Sequence, residues 1–117
     1  MASEAGIFIG WNRTFPGAEE KAVGLFGEFV GYLEQRKGAG DIESYEPVIL
    51  QAHGGDLNGF FLIRGDRNKL DRMAATDEYI GFVTRAALIL QDLGSINAFV
   101  GEGVPKQLSR MMKIAAG

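Results

Sequence analysis

Apolar residues along this chain recur at two spacings, the two-residue repeat of a strand and the 3.6-residue repeat of a helix. Gly6–Asn12 (GIFIGWN) is a short run of Ile, Phe and Trp and predicts a strand. Pro16 and Gly17 then turn the chain into a helix predicted over Pro16–Lys37, where Ala22, Phe26, Phe29, Val30 and Leu33 share a face. Glu19 and Glu20 suit the positive end of its dipole, Arg36 and Lys37 suit the other end, and Gly38 and Gly40 stop it. Gly24, Gly27 and Gly31 lower its helix propensity and predict a packing face that another backbone can approach closely.

Ile42–Ala52 predicts a second strand, and Pro47, which cannot donate to a ladder, places it at a sheet edge. His53-Gly54-Gly55-Asp56 is a turn signal, and Leu57–Gly65 (LNGFFLIRG) is a third, most apolar strand that completes a hairpin. Asp66 caps a short helix through Leu70 and Met73. Thr76 or Asp77 caps another, with a stripe of Tyr79, Ile80, Val83, Ala87 and Leu90 that Gly94 ends. Ser95–Val100 predicts a fourth strand, and Pro105 opens a C-terminal helix carrying Leu108, Met111, Met112 and Ala115.

Strand, helix, strand, strand, helix, strand is the split βαβ order of an α+β, ferredoxin-like fold. It predicts a four-stranded antiparallel sheet with both helical layers on one face, plus the extra C-terminal helix. Alternation sorts the strand residues into two sides. Ile7, Ile9 and Trp11, Phe61 and Ile63, and Ile96, Ala98 and Val100 are expected under the helices. Phe8, Gly10 and Asn12, Asn58, Phe60, Leu62 and Arg64, and Asn97 and Phe99 are expected on the bare side. A bare side holding Phe8, Phe60, Leu62 and Phe99 predicts a homodimer, in which two sheets pack face to face as a dimeric α+β barrel around a cavity.

The chain has 117 residues, enough for one domain spanning residues 1–117. It has no cysteine and one histidine, which excludes disulfides, cysteine-based zinc or redox chemistry and a multi-histidine metal site within one subunit. The formal net charge of −3, with both signs interspersed, argues against nucleic-acid binding. Ile7–Ile9 is too short for a signal peptide or a membrane span, so a soluble, cytoplasmic protein without membrane attachment is expected. No phosphate-binding glycine loop and no Ser nucleophile elbow is present, and neither a metal nor another cofactor is expected.

The element order, together with FIGWN, ESYEPVILQAHGGDLNGFFLIRG and INAFVGEG, resembles the dimeric α+β barrel superfamily. That group includes antibiotic-biosynthesis monooxygenase-like and YCII-related proteins. The resemblance implies a barrel cavity and, for members with known enzymology, cofactor-independent oxygenation. Haem degradation is not implied. Asn12 and Trp11 are adjacent on a strand and point to opposite faces, and His53 sits at a turn rather than on a helix. The His–Asp pair of YCII-like proteins has only a loose echo in His53 and Asp56.

His53 is the candidate catalytic residue, a general base at the cavity mouth oriented by Asp56; the alternative is an exposed turn histidine. Arg64 is a candidate anion-binding residue, or else an ion-pair partner of Glu43, Glu46 or a carboxylate of the second subunit. Asn12, Asn58 and Asn97 are candidate ligand-orienting amides that could equally satisfy local backbone. Phe60 is a candidate wall of the barrel, and Tyr45 and Gln51 either line it or face solvent. Trp11 is expected to pack beneath the helices, and Met111 and Met112 to make adaptable contacts. Three functions follow: a cofactor-free monooxygenase or isomerase acting on a small aromatic or carbonyl compound, a non-catalytic small-ligand binder or sensor, or a structural dimer module.

Overall fold

The computed structural model describes residues 3–117. Their order is β1 (Ala5–Trp11), α1 (Glu19–Gly38), β2 (Ser44–Ile49), β3 (Gly59–Gly65), α2 (Arg67–Ala74), α3 (Asp77–Ile89), β4 (Gly94–Phe99) and α4 (Gly103–Ala115). The sheet is antiparallel throughout, in the order β2-β3-β1-β4, and is not closed. This is the ferredoxin-like α+β arrangement, with Pro47 on an edge strand as its missing N–H requires.

Local chemistry sets several boundaries. α1 begins at Glu19, later than the expected Pro16, because Gly17 adopts a left-handed turn (φ 86°) whose N–H donates to the Glu19 carboxylate. Asp66 accepts from the Lys69 N–H to cap α2, and the Thr76 hydroxyl accepts from the Tyr79 N–H to cap α3. Gly59 lies opposite Trp11 in the ladder, where a Cβ would stand 2.5 Å from the indole.

The core lies between the sheet and the helices. Ile7, Ile9, Phe61 and Ile63 from the sheet meet Phe29, Tyr32 and Leu33 of α1, Leu70 and Met73 of α2, and Tyr79 of α3. Phe29 sits at its centre, with the rings of Tyr32, Phe61, Tyr79 and Phe82 at centroid distances of 5.1 to 6.2 Å. Burying each such side chain contributes about 1.5–3 kcal/mol. Trp11 packs beneath the helices against Phe26 and Phe61.

Three expectations are corrected. The α1 glycines do not face a neighbouring backbone, since a Cβ on Gly24, Gly27 or Gly31 would meet nothing within 4 Å. The inward face of α1 is set instead by Leu25, Phe29, Tyr32 and Leu33. α3 turns Phe82, Val83 and Ala86 inward rather than Ile80 and Ala87, because Tyr79 anchors it in the core. The faces of β4 are also reversed. Ile7 pairs with Asn97 and Phe8 with Ile96, so Ser95, Asn97 and Phe99 lie on the helix side and Ile96 and Ala98 on the open side. The edge strand meets the Tyr79 hydroxyl and the Arg67 guanidinium on its helix side, which favours polar residues there.

Burial raises the Tyr79 phenol above its ordinary value of 10.0, against a smaller opposing effect of its hydrogen bond to Ser95; burial raises Tyr32 as well. A folded pKa above the unfolded one means that the native state holds the proton longer. The associated stability is complete below the unfolded value and is lost as pH rises through the folded one. Stability should therefore be flat to about pH 9 and fall above about pH 10. Tyr79→Phe should make that alkaline fall shallower in urea melts taken across the range. An unchanged slope would show that Tyr79 does not carry it.

Candidate functional site

A pocket partly open to solvent lies on the helix side of the sheet. It has a volume of about 420 Å³. Its floor is Ile9, Trp11 and Phe61, its walls are Phe26 and Phe29 of α1 and Phe82 and Val83 of α3, and Leu90 and Leu93 close one end. Ala22 and Ala86 stand where longer side chains would fill the gap between the two helices. Val23 and Ile49, both well exposed, form part of its rim.

The lining is apolar apart from the Thr14 hydroxyl and the Trp11 indole N–H, and no titratable side chain is among the lining residues described. Thr14 sits where the segment after β1 pairs back onto the end of α3, through a bridge to Leu90 and the bond from the Phe15 N–H to the Ile89 carbonyl. The Thr14 hydroxyl donates to Glu19 at 3.5 Å, which brings a carboxylate to the rim. Among the described residues, no group of three or more His, Cys, Asp or Glu stands in metal-ligating proximity.

The sequence-predicted residues do not converge on this space. His53 is exposed, its Nε2 donates to the Leu57 carbonyl at 2.8 Å, and its Nδ1 accepts from the Gly55 N–H at 3.2 Å. That pair of bonds selects the Nε2–H tautomer and staples the turn, and Asp56 does not orient the ring. His53→Ala should therefore change stability by less than about 1 kcal/mol and leave ligand uptake intact. Loss of binding in that variant would restore His53 to the site.

The Asn58 amide donates to Asn12 Oδ1 at 2.8 Å, and the Asn12 amide donates to Asp92 at 3.1 Å. These groups tie three chain segments together at one end of the sheet. Asp92 has φ 53°, a left-handed conformation that Asp tolerates better than most residues. Tyr45 lies on the helix side of β2, paired with Ile63, and its hydroxyl donates to Glu34 at 2.6 Å. That bond pushes the Tyr45 phenol upward. Asn97 also lies on the helix side and accepts from Arg67 at 3.0 Å. Neither Tyr45 nor Asn97 lines the open face.

Phe60 and Arg64 do lie on the open face. Phe60 stacks on Phe8 at 5.1 Å. Arg64 approaches Glu46 at 3.7 Å, with both side chains partly exposed. The open face thus gathers Phe8, Val48, Phe60, Leu62, Ile96 and Ala98, with Arg64 and Glu46 at one side. Of the two alanines that border this space, periodicity reads Ala22 as ordinary core and leaves Ala86 out of the expected stripe, which held Ala87 instead.

No protein-family model matches the chain, and no curated protein sequence does. Solved structures do share its fold. A dimeric protein of unknown function and ferredoxin-like fold from Bacteroides fragilis aligns with a TM-score of 0.60 at 12% identity, covering 86% of this chain and 100% of that one. A hydroxynitrile lyase from Passiflora edulis aligns with a TM-score of 0.66 at 9% identity, covering 86% and 96%. SnoaB, a cofactor-independent oxygenase from Streptomyces nogalater, aligns with a TM-score of 0.51 at 13% identity, covering 85% and 93%. At these identities the likeness is one of fold, and the resemblance drawn from the sequence holds at that level. No helix among the described residues is long and apolar enough to cross a membrane.

Proposed function

We propose that this protein is a cytoplasmic homodimer that takes a small aromatic compound into the cavity between its sheet and its α1–α3 layer. The observation that carries this reading is the cavity itself, about 420 Å³ of space walled by aromatic rings. That volume is in the range of small-molecule sites. Transfer of an aromatic ring from water into such a lining is favourable by about 25 cal/mol for each Å² of apolar surface covered. The lining offers no charge to neutralise an ionic ligand, so a neutral compound with its polar group near Thr14 fits best. The dimer is supported by the apolar open face and by the dimeric state of the Bacteroides fragilis protein. This reading moves the ligand from the space between two sheets, where the sequence placed it, to the helix side of each.

The chain's single tryptophan, Trp11, lies on the cavity floor and reports occupancy directly. Titration with 1-naphthol should change Trp11 emission and saturate. Ala86→Phe fills the space between the helices and should weaken that response at least about tenfold, the scale of a lost apolar contact of this size. Equal affinity in both proteins would place the compound elsewhere, and no saturable response would remove the reading.

A second reading, cofactor-independent oxygenation of the bound compound, has the likeness to SnoaB and the carboxylate at the rim in its favour. It requires a substrate that loses a proton to form a stabilised carbanion, with Glu19 behind Thr14 the nearest base identified at the rim. Oxygen uptake with small phenolic or carbonyl compounds tests it, and Glu19→Gln should slow any uptake observed by roughly two orders of magnitude.

A further inference from the structure

The helix-side pocket is long rather than round. Its floor crosses the sheet in strand order, from Ile49 on β2 through Phe61 on β3 and Trp11 on β1 to Leu93, the residue before β4. Three interstrand steps give it a length of roughly 14 Å. A space of about 420 Å³ drawn out over that length averages about 30 Å² in section, the width of one ring or one chain. Ile49, Gly59 and Trp11 form one row of the ladder. Gly59 has no side chain, and the indole of Trp11 lies over it, since a Cβ there would stand 2.5 Å from the ring. The apolar floor therefore continues unbroken from Trp11 toward the edge strand.

The two ends of this trough differ. Toward β4 stand Leu90, Leu93 and the Thr14 hydroxyl, with Glu19 behind it. On the β2 side Ile49 is 66% exposed, and Val23 of α1, which shares the rim, is 75% exposed. These two come from different elements and carry the apolar lining out to the surface. We infer that the aromatic compound taken up here bears an unbranched alkyl tail, with its polar head at Thr14 and its tail running across the strands to leave between Val23 and Ile49. The inference rests on the ligand reading above and names its class, an uncharged alkylphenol-like amphiphile. A compact head beside Thr14 leaves Val23 and Ile49 in water, whereas a tail covers both. The narrow section leaves extra size to be taken as length, and the uncharged lining excludes a charged tail.

Calorimetric titration of the full chain with 4-ethylphenol, 4-butylphenol and 4-hexylphenol tests this. Affinity should rise about three- to fourfold for each added methylene, or roughly 100-fold from ethyl to hexyl. Ile49→Ser, at an exposed position, should weaken 4-hexylphenol at least about threefold more than 4-ethylphenol. In Ala86→Phe, which fills the space between the helices, the gain with chain length should be lost. A gain kept in full in Ile49→Ser means that the tail leaves by another route, and a gain kept in Ala86→Phe puts it on another surface; either overturns the inference. Affinity that stays flat from ethyl to hexyl while 1-naphthol still binds overturns it too and leaves the cavity reading standing. No saturable response to any of the phenols or to 1-naphthol removes both.

Discussion

Phe29→Ala should lower the unfolding free energy by about 3–5 kcal/mol, the range measured for deleting a buried aromatic ring. Phe29 is 7% exposed and is in ring contact with Tyr32, Phe61, Tyr79 and Phe82, so its removal opens a void that four aromatic neighbours border. A domain of this size has about 5–15 kcal/mol in all, and the loss is a large share of it. Urea denaturation of the variant beside wild type measures the change, and Phe29→Leu should lose less than half as much because most of the volume is kept. Since Phe29 also lines the cavity, the folded fraction of the alanine variant should accept bulkier aromatic compounds than wild type does. A loss under about 1 kcal/mol would mean that the ring is not the centre of this core.

Phe60→Asp should act on assembly and not on the core. The side chain lies on the open face, opposite Phe61, and stacks on Phe8. In a face-to-face dimer a carboxylate there is buried without a partner, which costs several kcal/mol. Light scattering should find wild type at twice the chain mass at micromolar concentration and the variant at the mass of one chain. The far-ultraviolet spectrum should not change. A Phe60→Asp protein that remains a dimer would exclude the open face as the interface. Arg64 and Glu46, near each other at 3.7 Å, would be covered in the same step, and their pairing limits that cost.

The sequence carried the order of elements, the antiparallel sheet and the edge position of β2, because period, caps and Pro47 are local properties of the chain. It also carried the separation of Ile7 and Ile9 from Phe8, and of Phe61 and Ile63 from Phe60 and Leu62, since alternation along a central strand leaves only two sides. Alternation could not say which side of β4 faces the helices. At an edge strand the helix layer offers one hydroxyl and one guanidinium rather than a continuous apolar surface, so the polar set Ser95 and Asn97 turned inward and Ile96 outward. Nor could it find the site. His53, Asn12, Asn58 and Tyr45 looked available as lone polar residues; Asn12, Asn58 and Tyr45 are held by neighbours that only the folded chain supplies, and His53 is held within its own turn. The cavity depends on two alanines from distant helices, Ala22 and Ala86, bordering the same gap above Trp11. A space between elements belongs to no segment of the sequence. It is set by how far α1 and α3 stand apart on the sheet, and that distance is decided by the packing of the aromatic core between them.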